Sequence, residues 1–184
     1  MRQIALVIII ATLTIISACV PSLQPLYTDD VLTFEPALIG TWVSADSNDT
    51  CVISQAGDSV YDLVYSQQGV PAKFEGHLAK LGDNLFLDTY PEDLEMKNDY
   101  YKAHIVLTHM ISKITLNGDS LLLAVLDDQW LGEQVDNDSV NIDFENVGSD
   151  ILLTSTPQML QEFIKANANN EDAFPDPATY YRKP

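Results

Sequence analysis

A mainly-β architecture, an antiparallel meander of short strands followed by one C-terminal helix, is what this 184-residue sequence predicts. Three observations predict it. From Ile39 to Thr154 apolar and polar residues alternate with period two in short segments. Gly-Asp and Asn-Gly pairs punctuate those segments where hairpins would turn. One apolar stripe of helical spacing lies near the C-terminus.

The first element is an address. A basic start (Arg2) and an apolar stretch from Ile4 to Ile16 precede Ser17-Ala18-Cys19, the order of an export signal. As a helix that stretch is about 20 Å long, short of the roughly 30 Å hydrocarbon core. Counting on to Val20 reaches the lower limit of a span, so a retained anchor helix is the alternative. Pro21 and Pro25 end any helix there. Residues 1–18 therefore read as a signal peptide, and residues 19–38 as a tether and N-terminal segment. Val20 to Leu26 would lift the domain off a membrane, and the chain from Tyr27, with Val31, Leu32, Phe34, Leu38 and Ile39, would pack along it.

Residues 39–184 read as the folded domain. Val60–Ser66 turns Tyr61, Leu63 and Tyr65 to one face and Asp62 and Ser66 to the other. In Lys73–Leu78 the inward set is Phe74, Gly76 and Leu78, and the outward set is Lys73, Glu75 and His77. Turns fall at Gly57-Asp58-Ser59, Gly82-Asp83-Asn84, Asn117-Gly118-Asp119-Ser120 and Gly148-Ser149-Asp150. Ala103–Leu116 and Leu121–Leu126 form the longest apolar pair, joined by Asn117-Gly118. Asp88 to Asp99, with Glu92, Asp93 and Glu95 around Pro91, reads as a solvated loop, and Asp127-Asp128 as a bend. The helix spans residues 156–168: Thr156 caps it, Pro157 takes its first position, and Met159, Leu160, Phe163 and Ile164 form its stripe. The aromatic tail from Phe174 to Arg182 would dock on the strands.

Composition excludes a nucleic-acid partner. Against 27 acidic side chains stand 9 basic ones, for a formal net charge of −18 and a pI near 4.1, whereas phosphate binding needs a clustered basic surface. No phosphate loop, Gly-x-Ser-x-Gly elbow, His-Glu-x-x-His or Cys-x-x-Cys occurs in the sequence. His104 and His109 are spaced wrongly for a local metal pair, and Asp136-Asn137-Asp138 lacks the Gly and distant Glu of a calcium loop. No metal and no catalytic group is expected. A hydrolase would require the fold to bring His77, His104 or His109 to an acid and a serine in one cleft. Cys51, in an apolar segment, reads as a buried structural cysteine.

Ile16-Ser17-Ala18-Cys19 resembles the lipobox of bacterial lipoproteins. The resemblance implies cleavage before Cys19 and a covalent lipid on its sulfur as membrane anchor, with no other cofactor. Val20, where an Asp would favour inner-membrane retention, implies outer-membrane sorting with the domain facing the periplasm. Gly40-Thr41-Trp42 resembles the Gly-x-Trp of lipocalins and related calycin barrels, and Asn98-Asp99-Tyr100 echoes a second element of that family. The likeness implies that the meander closes into a β-barrel with Trp42 at its base and an Arg stacked over it. Arg182 is the one Arg that remains after Arg2 is removed, although in that family the Arg precedes the helix. Ordinary core packing is the alternative for Trp42.

The expected function is a membrane-anchored envelope lipoprotein that binds a small apolar or amphipathic ligand. Tyr61, Leu63, Tyr65, Phe74 and Leu78 would line the site, with Gly76 leaving room. A fully packed core is the competing reading of those residues. The competing function is a non-enzymatic lipoprotein that docks on another envelope protein through its acidic or aromatic surface.

Overall fold

The computed structural model describes residues 19–92, 96 and 98–184. Residues 1–18, read above as a signal peptide, with Ile16, Ser17 and Ala18 of the lipobox resemblance, lie outside them, as do Asp93 and Glu95. In chain order the elements are β1 (Pro21–Ser22), β2 (Leu32–Thr33), a 3-10 turn (Pro36–Leu38), β3 (Gly40–Ser44), β4 (Thr50–Gln55), β5 (Tyr61–Gln67), β6 (Val70–Leu81) and β7 (Asn84–Pro91). Then follow α1 (Asp99–Lys102), β8 (His109–Asn117), β9 (Ser120–Val125), α2 (Asp128–Asp136), β10 (Phe144–Val147), β11 (Asp150–Leu153), α3 (Pro157–Asn167) and β12 (Ala178–Arg182).

Eight of the strands close a ring. β3 to β9 pair in sequence as antiparallel neighbours, and β12 enters between β9 and β3 to complete an antiparallel β-barrel. The four expected turns all fall between paired strands. A fifth, at Gln68-Gly69, has both residues at positive φ (51° and 83°), the backbone of a tight two-residue hairpin. Closure corrects the expectation for the tail: it does not dock on the barrel but supplies its eighth strand.

The barrel is apolar on two surfaces. Inside it pack Leu38, Trp42, Ile53, Tyr61, Leu63, Leu78, Leu87, Ile114 and Leu121. Outside, Ala79, Leu81, Phe86, Ile111 and Ala124 face a cover made from the N-terminal segment, α2, α3 and the β10–β11 hairpin. Continuous apolar runs such as Leu85-Phe86-Leu87 and Leu121–Val125 reflect burial on both faces. Val20 to Thr33 is part of that cover and not a free tether. Val20 and Leu26 are buried, β1 pairs with β8 and β11, and β2 pairs with β6.

Helix α3 begins after Thr156, whose Oγ1 accepts the Met159 N–H at 3.4 Å, and buries Leu160, Phe163 and Ile164. Asp127-Asp128 is not a bend: the Asp127 carboxylate accepts the Trp130 N–H at 2.7 Å and starts α2. β8 begins only at His109, so residues 103–108 belong to the loop that follows α1. β7 continues through Asp88 to Pro91, which removes Asp88 from the expected solvated loop.

One end of the barrel is sealed by Trp42, which is fully buried and donates its indole N–H to the Leu38 carbonyl at 2.9 Å. The Arg182 guanidinium lies 4.3 Å from the Trp42 ring centroid. It donates to the carbonyls of Ile39 (2.7 Å) and Ala37, which fixes the 3-10 turn across the opening. Gly40 is required here: its φ is +148°, and a Cβ would collide with the guanidinium. We expect Arg182→Ala to lower unfolding free energy by about 2–4 kcal/mol through loss of the cation–π contact and two charge-assisted hydrogen bonds. Urea denaturation would measure it, with Tyr181→Ala, outward-facing and 56% exposed, changing stability by no more than about 0.5 kcal/mol.

Candidate functional site

Inward-facing side chains fill the sealed half of the barrel and then shorten. Thr89, Ser112 and Cys51 stand where larger residues would meet, and a cavity of about 260 Å³ remains towards the other end. β4 contributes Cys51 and Ile53, β5 Leu63 and Tyr65, and β6 Phe74. Leu87 and Thr89 come from β7, Met110 and Ser112 from β8, Leu121 and Leu123 from β9, and Tyr180 from β12. Tyr65, Phe74, Thr89, Met110, Leu123 and Tyr180 are only half-buried, so the cavity reaches the surface at this end. We call it the mouth; the β3–β4 turn, the Gln68-Gly69 hairpin and the β7–β8 connection surround it.

No Lys, Arg or His lines the cavity. Its polar groups gather at the mouth, where the Tyr65 hydroxyl donates to Asp49 Oδ2 at 3.2 Å. The Gln68 backbone N–H donates to Asp49 Oδ1 at 3.1 Å. That bond first, with hydrogen bonds from Ser47 and Tyr65 in addition, holds the Asp49 carboxyl below its ordinary range, so a fixed negative charge stands beside the opening. Burial pushes the Tyr65 and Tyr180 hydroxyls up and keeps both neutral donors. Burial also raises the Cys51 thiol to about 11.

Of the residues expected to line a ligand site, Leu63, Tyr65 and Phe74 border the cavity, whereas Tyr61 and Leu78 lie in the packed half. Tyr61 stacks on Phe34 at 4.8 Å, and its hydroxyl accepts the Glu35 N–H at 2.7 Å, which makes it part of the seal. Gly76 leaves no room for a ligand, because Leu63 Cδ1 already occupies the space its Cβ would take. Not expected there were Cys51 and Ile53 of β4 and the whole opposite wall: Leu87, Thr89, Met110, Ser112, Leu121, Leu123 and Tyr180. On β8 and β12 the phase was available: Met110 and Ser112 stand four and two residues from Ile114, and Tyr180 stands two from Arg182.

A second polar cluster sits on the outside of the barrel beneath the N-terminal segment. Asp88 is 1% exposed; its Oδ1 lies 2.8 Å from His109 Nδ1, and its Oδ2 accepts the Leu26 N–H at 2.7 Å. His77 stacks on Tyr27 at 3.9 Å, with Nε2 2.8 Å from Glu75, and its buried Nδ1 has no hydrogen-bond partner among the described residues. Among the described residues the fold thus brings a histidine to an acid, but not to a free serine. Ser22, opposite His109 in register, is fully buried and donates its hydroxyl to the Gln24 carbonyl at 2.7 Å. His104 lies five residues before His109, in the exposed loop, with Nδ1 2.6 Å from the Tyr100 carbonyl. The cluster is a clamp that holds the segment around Leu26 on β7 and β8.

No family model, curated protein or solved structure matches the chain.

Two expectations follow from these environments. At pH 8 a thiol with its pKa raised from 9.0 to about 11 carries about 100-fold less thiolate than a free cysteine. Alkylation of Cys51 by iodoacetamide should be slower by about that factor and recover as the pH approaches 11, which mass spectrometry of quenched time points would follow. Asp88→Ala leaves the Leu26 N–H and His109 without their shared acceptor. It should cost about 2–4 kcal/mol of stability and speed hydrogen exchange at Leu26 before that of the barrel strands.

Proposed function

We propose that this chain is a lipid-anchored envelope protein whose barrel binds a small, neutral amphiphile. The single observation that carries the reading is the uncharged, largely apolar cavity of about 260 Å³ at the barrel mouth. An apolar cavity of about 150 Å³ already admits a benzene ring, and drug-sized pockets begin near 300 Å³. The volume therefore suits one ring system or a short acyl chain. Most of the binding free energy would come from apolar burial, at about 25 cal/mol per Å².

The charge of the ligand follows from what surrounds the opening. A carboxylate drawn into the cavity would find no cation among the lining residues and would meet ionised Asp49 behind Tyr65. An unpaired buried charge is expensive, whereas an alcohol, ester or amide finds hydroxyl partners in Tyr65, Tyr180, Thr89 and Ser112. The anchor in this reading is a lipid on Cys19, supported by the signal-like residues 1–18 and by the exposure of Cys19 at the domain surface. A second reading, an interaction lipoprotein that docks on another envelope component, draws on the exposed aromatics Tyr100 and Tyr101.

Native mass spectrometry and thermal shift on residues 19–184 carrying Cys19→Ser test the ligand. Octan-1-ol should bind and raise the melting temperature, and octanoate should bind at least about tenfold more weakly, the equivalent of 1.4 kcal/mol. Leu123→Trp, which fills the cavity, should abolish the shift while costing only about 1–3 kcal/mol of stability. Octanoate binding as tightly as the alcohol would overturn the neutral-ligand assignment. No shift with any amphiphile would leave the interaction reading in its place.

A further inference from the structure

The position of Cys19 and the distribution of exposed apolar side chains have a joint consequence. Cys19 is exposed and forms a backbone bridge with Asp127, two residues beyond the end of β9. β9 runs towards the mouth: its first residue, Ser120, pairs with Tyr181 near the sealed end, and Leu123 pairs with Ala178, where β12 enters from the mouth. β1 pairs with His109 and Met110, the first residues of β8, also at the mouth. Val20 is 5% exposed and Ser22 is fully buried. No slack chain therefore separates the domain from whatever holds Cys19.

Exposed apolar residues gather at the same end. Among the described residues, eight large apolar side chains are exposed, and five of them stand on or beside two of the three connections that surround the mouth. Val70 (70% exposed) tips the Gln68-Gly69 hairpin, and Tyr100, Tyr101, Ile105 and Val106 (69%) stand on the β7–β8 connection. Tyrosine suits a membrane surface, with an apolar ring and a polar tip.

We infer that the mouth of the barrel rests on the bilayer that holds Cys19, with Val70, Tyr100, Tyr101, Ile105 and Val106 at the lipid interface and the cavity opening towards it. The inference rests on the lipid-anchor reading. It would hold equally if residues 1–18 stayed in the membrane as an anchor helix, because either anchor leaves the domain at Cys19. The acidic groups near the rim, Asp46, Asp49, Glu92 and Asp99, oppose approach from solution to an anionic surface. The anchor supplies the local concentration that overcomes this opposition. An amphiphile would then pass between bilayer and cavity without crossing open water.

The experiment uses the full lipidated protein in vesicles of phosphatidylethanolamine and phosphatidylglycerol. Single cysteines at Val106, Val70 and Asp83, in a Cys51→Ser background, carry an environment-sensitive fluorophore, and the lipids carry a nitroxide quencher. Asp83 is exposed in the turn at the sealed end, and all three positions are exposed enough to take a label without disturbing the core. Quenching and a blue shift at Val106→Cys and Val70→Cys, at least about threefold above Asp83→Cys, are expected. Residues 19–184 carrying Cys19→Ser, which have neither the lipid nor residues 1–18, should neither float with vesicles nor show quenching. Protein that floats but shows equal quenching at all three positions would overturn the inference alone and give the apolar rim to a protein partner. Protein that fails to float would remove the anchor reading and the inference with it.

Discussion

Closure of the barrel depends on one late pairing: β12, the last strand of the chain, must enter between β3, the first barrel strand, and β9. Everything between β9 and β12 is an excursion whose two ends are fixed on neighbouring strands. α2, β10, β11 and α3 have no place inside the ring and must bury their apolar faces on its outside. That requirement makes the outer surface of β6 to β9 apolar. Arg182, at the end of β12, reaches across Trp42 to the Ile39 and Ala37 carbonyls, so the strand that closes the wall also locks the base. Pairing across most of the chain length is entropically slow to form. Its stability therefore lies in what it brings together at the end: a buried indole, a guanidinium over it and the 3-10 turn beneath.

Local chemistry made much of this fold legible. Hairpin turns are fixed by residues that tolerate positive φ, and Gly82, Gly118 and Gly148 all adopt it. Strand faces follow from period two, so Tyr61, Leu63 and Tyr65 turn inward as their spacing demands. α3 is announced by a cap, a proline and a stripe within one short segment. α2 carried a capping signal too, in Asp127, but its charged, weakly amphipathic sequence buries only Leu131 and so showed no stripe.

Burial of polar groups was illegible for a different reason. Asp88 stands near an acidic stretch and reads as solvated; what buries it is His109 on the next strand and Leu26, 62 residues earlier in sequence. Neither contact leaves a local trace. The N-terminal segment misled in the same way, because two prolines in seven residues look like a leash while Val20, Ser22 and Leu26 are buried by β8 and α3. For the cavity, the wall on β5 and β6 was legible from alternation. On the opposite wall, β7 and β9 hid their phase in runs that are apolar on both faces, where period two carries no information about which face is inside, and only β8 and β12 kept it in their spacing.

The two polar devices of the molecule divide the work between its ends. Arg182 and Trp42 close one end of the barrel and leave its packing dense there. The Asp88 carboxylate, on the outer wall, fixes the segment that ends at Cys19 and so fixes where an anchor would leave the domain. Because β1 lies beside the first residues of β8, that exit is at the mouth, the end where side chains shorten and the cavity opens. A tether of the same length left free in solvent would allow the barrel any orientation. Held by the Asp88 carboxylate at Leu26, by the β1 pairings and by the Cys19–Asp127 bridge, it allows few, and the cavity, the apolar rim and Cys19 come to the same side of the molecule.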